Sequence, residues 1–215
     1  MSEKPTLTPA DVELVEKATP YDGYFHIDRY RLRHRQFAGD MGPEISREIF
    51  ERGHAASALL YDPDLDLLVF IEQFRAGAYA AAASPWYADD FSPWLVEIIA
   101  GIIDEDEDPE SVIRREAVEE ANCEVREIEP VCHYLVTPGG SSESMFVFCG
   151  RVDASNAGGV HGLDEEAEDI RVFTVPPETA FRYLDEGRIC NSMTIIATQW
   201  FRIHHQRLRE LWRRA

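Results

Sequence analysis

The sequence predicts an α+β protein, an α/β/α sandwich in which a sheet lies between helices, with a small β subdomain ahead of it. Three observations predict it. Residues 11–53 hold short segments that mix polar and apolar residues in alternation. Residues 55–73 hold two dense apolar segments joined by the turn sequence Asp62-Pro63-Asp64. Beyond them, strand-like runs are interleaved with two helical patterns, one acidic near residue 115 and one long and amphipathic at the C-terminus. The expected division is residues 1–53 as the β subdomain and 54–215 as the main domain.

The elements follow in order. Asp11 to Lys17, Phe25 to Arg33 and Ile45 to Phe50 alternate as strands, with Gly39-Asp40 and Gly42-Pro43 as turns. This charge-rich segment is too small to bury a sizeable core alone, so it must pack on the rest of the chain or on a second subunit. Ala55 to Tyr61 and Leu67 to Gln73 read as buried strands, and Ala76 to Pro93 as a loop or lid of low regularity. Trp94 to Ala100 reads as one more strand. Strands are expected at Val131 to Val136, Met145 to Val152 and Ile170 to Val175, with an acidic loop over residues 153–169. A short helix is expected at Glu178 to Glu186. Asn191 to Arg213 is the long helix, its buried side assigned to Ile195, Ile196, Trp200, Ile203, Leu208 and Leu211.

Composition narrows the function. The net charge of −19 argues against general nucleic-acid binding, which needs Lys/Arg surfaces. An anionic substrate would need locally focused positive charge, from arginine or from a metal ion. Cys123, Cys132, Cys149 and Cys190 form no CxxC pair and suggest no zinc site; free thiols in a reducing compartment are the simple reading. The N-terminus lacks a signal-peptide pattern, and no uncharged apolar run approaches membrane-spanning length. The expectation is a soluble cytoplasmic protein.

The segment GIIDEDEDPESVIRREAVEEANC, Gly101 to Cys123, is the most informative. Asp108 can N-cap a helix, Pro109 suits its first position, Glu110 favours its positive end, and Asn122 suits a left-handed stop. Val112, Ile113, Ala117 and Val118 give it an apolar side. Glu116, Glu119 and Glu120 then fall on one face as i, i+3 and i+4 neighbours. Three adjacent carboxylates repel one another unless a cation sits among them. A hard divalent ion is the obvious candidate, because Mg²⁺ takes oxygen ligands and works with substrate phosphates.

The spacing Gly101, Glu107, Arg115-Glu116, Glu119-Glu120 resembles the Nudix hydrolase signature, with Asn122 where the signature has its late glycine. Asn tolerates the left-handed conformation that glycine would adopt there. The segments YDGYFHIDRYRLRHRQFAG, REIFERGHAA, IEQFRAGAY, TPGGSSES, HGLDEEAEDIRV and the C-terminal ATQW helix extend the likeness to the bacterial ADP-ribose pyrophosphatase branch of that family. The stretch from Ala80 to Pro93 is an insertion relative to the compact pattern.

The resemblance implies a Nudix fold, a mixed sheet flanked by helices with the acidic helix beside the phosphate site. It implies metal ligation by Glu116, Glu120, the Ala100 carbonyl and Glu168, with Mg²⁺ as the cofactor and Mn²⁺ as its alternative. Glu119 binds metal or orients a ligand, Arg115 orients the glutamates by ion pairing, and Glu107 has a similar supporting part. Glu166 is the implied general base on a loop that can swing in with substrate, and Glu165 is the alternative by one residue of register. Arg75 is implied to grip the diphosphate. Tyr24 is implied to stack on adenine, Arg47 and Glu48 to contact the base region, and Glu143 to bind terminal ribose hydroxyls. A homodimer is implied, with N-terminal strands helping to build the partner's adenine pocket.

The expected reaction is Mg²⁺-dependent hydrolysis of ADP-ribose to AMP and ribose 5-phosphate. The alternatives are the same chemistry on another nucleoside diphosphate sugar such as GDP-mannose, a non-catalytic nucleotide-binding sensor, and an acidic interaction module. No nucleic-acid or membrane partner is expected.

Overall fold

The computed structural model describes residues 6–163 and 167–213. It divides into two units, residues 1–53 with 135–144, and residues 54–134 with 145–215.

The first unit is a three-stranded antiparallel sheet in the order β1-β2-β3, formed by Val12–Asp22, His26–His34 and Ile45–Glu51. The first strand runs five residues past its expected end, because its ladder with β2 resumes beyond an irregularity between Ala18 and Tyr21. Polar contacts brace this sheet. Asp28, 3% exposed, accepts from Thr19 Oγ1 at 2.6 Å and pairs with Lys17 Nζ at 2.7 Å. Arg31 pairs with Glu16 and Glu44, each at 2.7 Å. The segment TPGGSSE folds onto β3: Phe50 N–H donates to the Gly140 carbonyl, and Ser141 Oγ donates to the Phe50 carbonyl. Much apolar surface stays in solvent, with Leu14 57%, Tyr21 62% and Phe37 84% exposed.

The second unit is built on an eight-stranded mixed sheet. Its strands are β4 (Ala55–Asp62), β5 (Leu67–Phe74), β6 (Trp94–Glu97), β7 (Ile99–Ile102), β8 (Ile128–Leu135), β9 (Ser144–Arg151), β10 (Gly159–His161) and β11 (Ile170–Val175). The main path is β10-β11-β5-β4-β9-β8, with β6 on β5 and β7 on β4. The β4–β9 pair is parallel, while β5 lies antiparallel to both β4 and β11. The helices are α1 (Ala76–Ala81), α2 (Pro109–Ala121), α3 (Pro177–Asp185) and α4 (Ser192–Trp212).

Alternation along the strands sorts the two faces. Ala56, Ala58 and Leu60 of β4 and Val69 and Ile71 of β5 pack with Val112, Ile113, Ala117 and Ala121 of α2. Tyr61, on the other face of β4, meets Phe201 and Trp212 of α4 at 4.8 and 6.3 Å between ring centres. A sheet with α2 on one side and α4 on the other is the expected sandwich.

Several local expectations are corrected. Trp94 to Ala100 is two strands, not one. The ladder leaves β5 after Glu97 and joins β4 from Ile99, and the intervening Ile98 N–H donates to Thr194 Oγ1 of α4. The segment after Arg75 begins as the short helix α1, and the acidic loop contains the short strand β10. In α2, Val118 points outward, 50% exposed. In α4 the buried face is Met193, Thr194, Ala197, Thr198, Phe201, Leu208 and Trp212, whereas Ile203 and Leu211 are 78% and 51% exposed. Periodicity alone favoured the bulkier stripe, but Tyr61 and its neighbours take the face carrying Ala, Thr and Phe. Among the described residues, no helix is long and apolar enough to cross a membrane.

Candidate active site

Helix α2 supplies the centre of the site, and its ends are fixed locally. Asp108 caps it, accepting from Glu110 N–H at 3.0 Å and Ser111 N–H at 3.2 Å, with Pro109 in the first turn. Asn122 ends it in the left-handed region, at φ 50° and ψ 39°. Between these stops Glu116 and Glu120 face inward, 9% and 3% exposed, and Glu119 lies at the margin.

Gly101 on β7 is the floor against which Glu116 lies. A Cβ built there would stand 1.8 Å from Glu116 Oε1. No side chain larger than hydrogen fits while Glu116 holds this position, so the early glycine and the first helix glutamate of the motif are one packing unit. Next to it, Ala100 N–H donates to Glu120 Oε2 at 3.0 Å.

Arg115 ties the acidic residues together. Its Nε and Nη2 reach Glu107 at 3.1 and 3.2 Å, and its Nη1 reaches Glu116 at 2.7 Å and Glu119 at 3.0 Å. Hydrogen bonds from Arg115 hold Glu107 below its ordinary pKa. Glu116 behaves otherwise. Burial pushes its carboxyl up to about 7, and Glu119 and Glu168 add to the rise against the opposing pull of Arg115. Burial also drives Glu120 well above its ordinary range, opposed by the Ala100 N–H and by the positive charge of Arg75, and reinforced by Glu116 and Glu168.

Glu168 therefore lies in the same electrostatic neighbourhood as Glu116 and Glu120. Its carboxylate accepts from Leu163 N–H at 3.1 Å. Gly162, at φ +106°, makes this loop feasible, since a Cβ there would stand 2.6 Å from Glu168 Cβ. Glu166 and its alternative Glu165 lie outside the described residues.

The donor set fits a hard divalent cation: buried, mutually repelling carboxylate oxygens whose charged forms are disfavoured as they stand. Among the described residues, no three His, Cys, Asp or Glu side chains converge as a ligand group. The oxygens of Glu116, Glu120 and Glu168 are turned instead to Arg115, Ala100 N–H and Leu163 N–H.

Arg75 follows the last residue of β5. Its Nε and Nη2 grip Oε2 of the buried Glu97 at 2.8 and 2.7 Å. Sequence reasoning singled out Arg75 but missed Glu97. The available signal was an acid inside the apolar run WLVEIIAG.

The remaining candidates lie in the first unit. Tyr24 is 87% exposed, and its ring stands edge-on to Phe25 at 4.6 Å. Arg47 and Glu48 are neighbours on β3, opposite Tyr30 and Arg29 of β2. Glu143 is buried, 7% exposed, and pairs with Arg52 at 3.5 Å. Arg52 lies over the Phe25 ring and was not anticipated. The structure thus groups Tyr24 through Phe25 and Arg52 with Glu143, and separately groups Ala100, Glu116, Glu120, Glu119, Arg115, Arg75 and Glu168.

Comparison with known proteins places the chain in a family and gives a likeness of fold. The NUDIX domain matches residues 51–189. An ADP-ribose pyrophosphatase of Escherichia coli (strain K12) is 48% identical over 202 residues, 94% of this chain and 93% of that protein. An ADP-ribose pyrophosphatase of Haemophilus influenzae is 36% identical across 100% of this chain and 97% of its own. A GDP-mannose pyrophosphatase of Escherichia coli O1:K1 is 33% identical over 90% of this chain and 96% of its own. A solved structure of an ADP compounds hydrolase superposes with a TM-score of 0.68 over 95% of this chain and 100% of that one, at 15% identity, a likeness of fold. By domain match and near full-length similarity, the chain belongs to the NUDIX domain family.

Proposed function

We propose that this protein hydrolyses the diphosphate of ADP-ribose, with Mg²⁺ as cofactor, to give AMP and ribose 5-phosphate. The observation that carries the substrate is the 48% identity, over 94% of the chain, to a protein named ADP-ribose pyrophosphatase. The chemistry is supported by the buried pair Glu116 and Glu120 beside Gly101.

Glu116 and Glu120, with the Ala100 carbonyl and Glu168, would hold the ion. A bound Mg²⁺ supplies charge neutralisation for the diphosphate and acidifies water; Mn²⁺ has the same donor preference for oxygen. Arg115 keeps Glu116 and Glu119 oriented. Arg75 takes the diphosphate oxygens, for which a planar guanidinium is well suited. Glu166 accepts the proton of the attacking water, with Glu165 as its alternative. Tyr24 stacks on adenine, Arg47 and Glu48 bind its edge, and Glu143 accepts from the terminal ribose hydroxyls.

The N-terminal strands act in a homodimer, helping to form the adenine pocket of a second copy. The exposed apolar side chains of the first unit support that reading. The four cysteines are all free, which supports a cytoplasmic setting.

The test is hydrolysis of a panel of nucleoside diphosphate sugars in ¹⁸O water with mass analysis of both products. AMP and ribose 5-phosphate from ADP-ribose, dependent on Mg²⁺, is the expected outcome. Preference for GDP-mannose would favour the second reading, which the 33% identical relative motivates. No Mg²⁺-dependent cleavage of any diphosphate would leave a binding role instead.

A further inference from the structure

Glu97 is an anomaly. It ends β6 in an otherwise apolar run, is 3% exposed, and burial raises its carboxyl above the ordinary value. A buried carboxylate is costly unless a cation and hydrogen bonds compensate it. Here Arg75 gives both, through Nε at 2.8 Å and Nη2 at 2.7 Å, and Gln73 Nε2 stands at 3.5 Å from the same oxygen. Replacing this group by an apolar one would be the simpler solution for a core position.

The arrangement constrains Arg75 more than it constrains the sheet. Glu97 lies opposite Ile71 and Leu95 opposite Gln73 in the β5–β6 ladder, so Ile71, Gln73 and Arg75 share the face of Glu97. That is the α2 face, since Ile71 packs in the cluster containing Val112 and Ala117. The main chain of Arg75 is fixed too: its N–H donates to the Pro93 carbonyl at 2.9 Å, and its carbonyl accepts from Tyr79 N–H at 3.0 Å. The side chain remains 41% exposed, and its positive charge acts electrostatically on Glu120. Nη1 has no hydrogen bond among the described residues. A guanidinium held along one edge by a buried carboxylate, with its other edge unengaged near the acidic helix, is ready-made for an anion.

We infer that Glu97 is the positioning residue for Arg75, fixing the orientation in which its guanidinium meets the substrate diphosphate. Glu97 itself touches no substrate. This rests on the reading of Arg75 as the diphosphate grip. The long connection between β5 and β6 gives a reason for the device: the two strands are joined through residues 75–93, so Glu97 ties the start of that excursion to the strand that follows it.

The experiment compares Glu97→Gln, Arg75→Ala and the double variant in full-length protein with ADP-ribose and Mg²⁺. Glu97→Gln should lower kcat/KM by about tenfold to a hundredfold, the range expected for misplacing a binding group by an ångström or less. The double variant should be no slower than Arg75→Ala alone, because Glu97 acts only through that arginine. Multiplying effects would overturn the inference in favour of a general structural role. Slow Arg75→Ala with Glu97→Gln at the wild-type rate would overturn it as well. A full-rate Arg75→Ala would instead remove the diphosphate grip itself. Should Glu97→Gln not fold, Glu97→Asp keeps the charge but withdraws it by one methylene, and the same comparison applies. If ADP-ribose is not turned over, calorimetric titration with inorganic pyrophosphate reads the same three variants by affinity.

Discussion

Glu116 and Gly101 are fifteen positions apart in the chain, and any side chain at 101 would collide with Glu116. Gly101→Ala puts a methyl group where Glu116 Oε1 lies, at 1.8 Å. Stability should fall by about 1–3 kcal/mol, as for other overpacked sites, and turnover should fall at least tenfold (~) because Glu116 must leave its place. Urea titration and an activity assay on the same preparation check it, and a fully active variant would detach the glycine from the site. Glu116 also carries a pH signature. Its carboxyl moves from an ordinary 4.5 to about 7. With the folded value raised, the proton's contribution to stability is fully present below pH 4.5, declines as pH rises, and is gone above about 7. Melting temperature in chelator should therefore drop across that window, and Glu116→Gln should flatten the slope. Glu120, shifted in the same direction, leaves a residual slope. If Glu116 ligates Mg²⁺ as proposed, affinity for the ion should run the other way, strengthening as the carboxyl ionises. Parallel slopes for wild type and variant would place the titration elsewhere.

At the scale of elements, α2 could be read nearly to the residue because its determinants are local. Asp108, Pro109 and Asn122 act within one turn of themselves. Asn122→Ala should cost about 1 kcal/mol, since a Cβ without a local polar partner is disfavoured in the left-handed region. Asn122→Gly should be neutral or stabilising. Chemical denaturation of both variants tests this, and equal stabilities would mean the cap is not strained. The other elements had weaker local determinants. Trp94 to Ala100 carries no breaker, so its division at Ile98 follows from the ladder moving from β5 to β4 and from the Thr194 hydroxyl that takes the Ile98 N–H. Helix α4 offers two apolar stripes. Its buried one is selected by Tyr61 and by the pairing of Asp66 with His205 and Arg209, each at 2.7 Å.

At the scale of the molecule, the first unit leaves Leu14, Tyr21, Tyr24 and Phe37 well exposed. If a second copy covers them, light scattering should give twice the 24.5 kDa of the chain, and Leu14→Glu with Phe37→Glu should shift the mass toward the monomer while α2 stays folded. A wild-type monomer at micromolar concentration would defeat the dimer. The layered fold, the acidic helix with its caps, and the family are legible in the chain alone, because alternation, turn residues and short fixed spacings are encoded within a few neighbouring positions. It also pointed to Arg75. Packing alone reveals the company each residue keeps: Glu97 behind Arg75, Arg52 beside Glu143, Gly101 beneath Glu116, and the face of α4 that is buried. These depend on segments distant in the chain meeting across a sheet, and burial there reverses what composition suggests. An acid in an apolar strand looks like an interruption until the arginine that compensates it is in place.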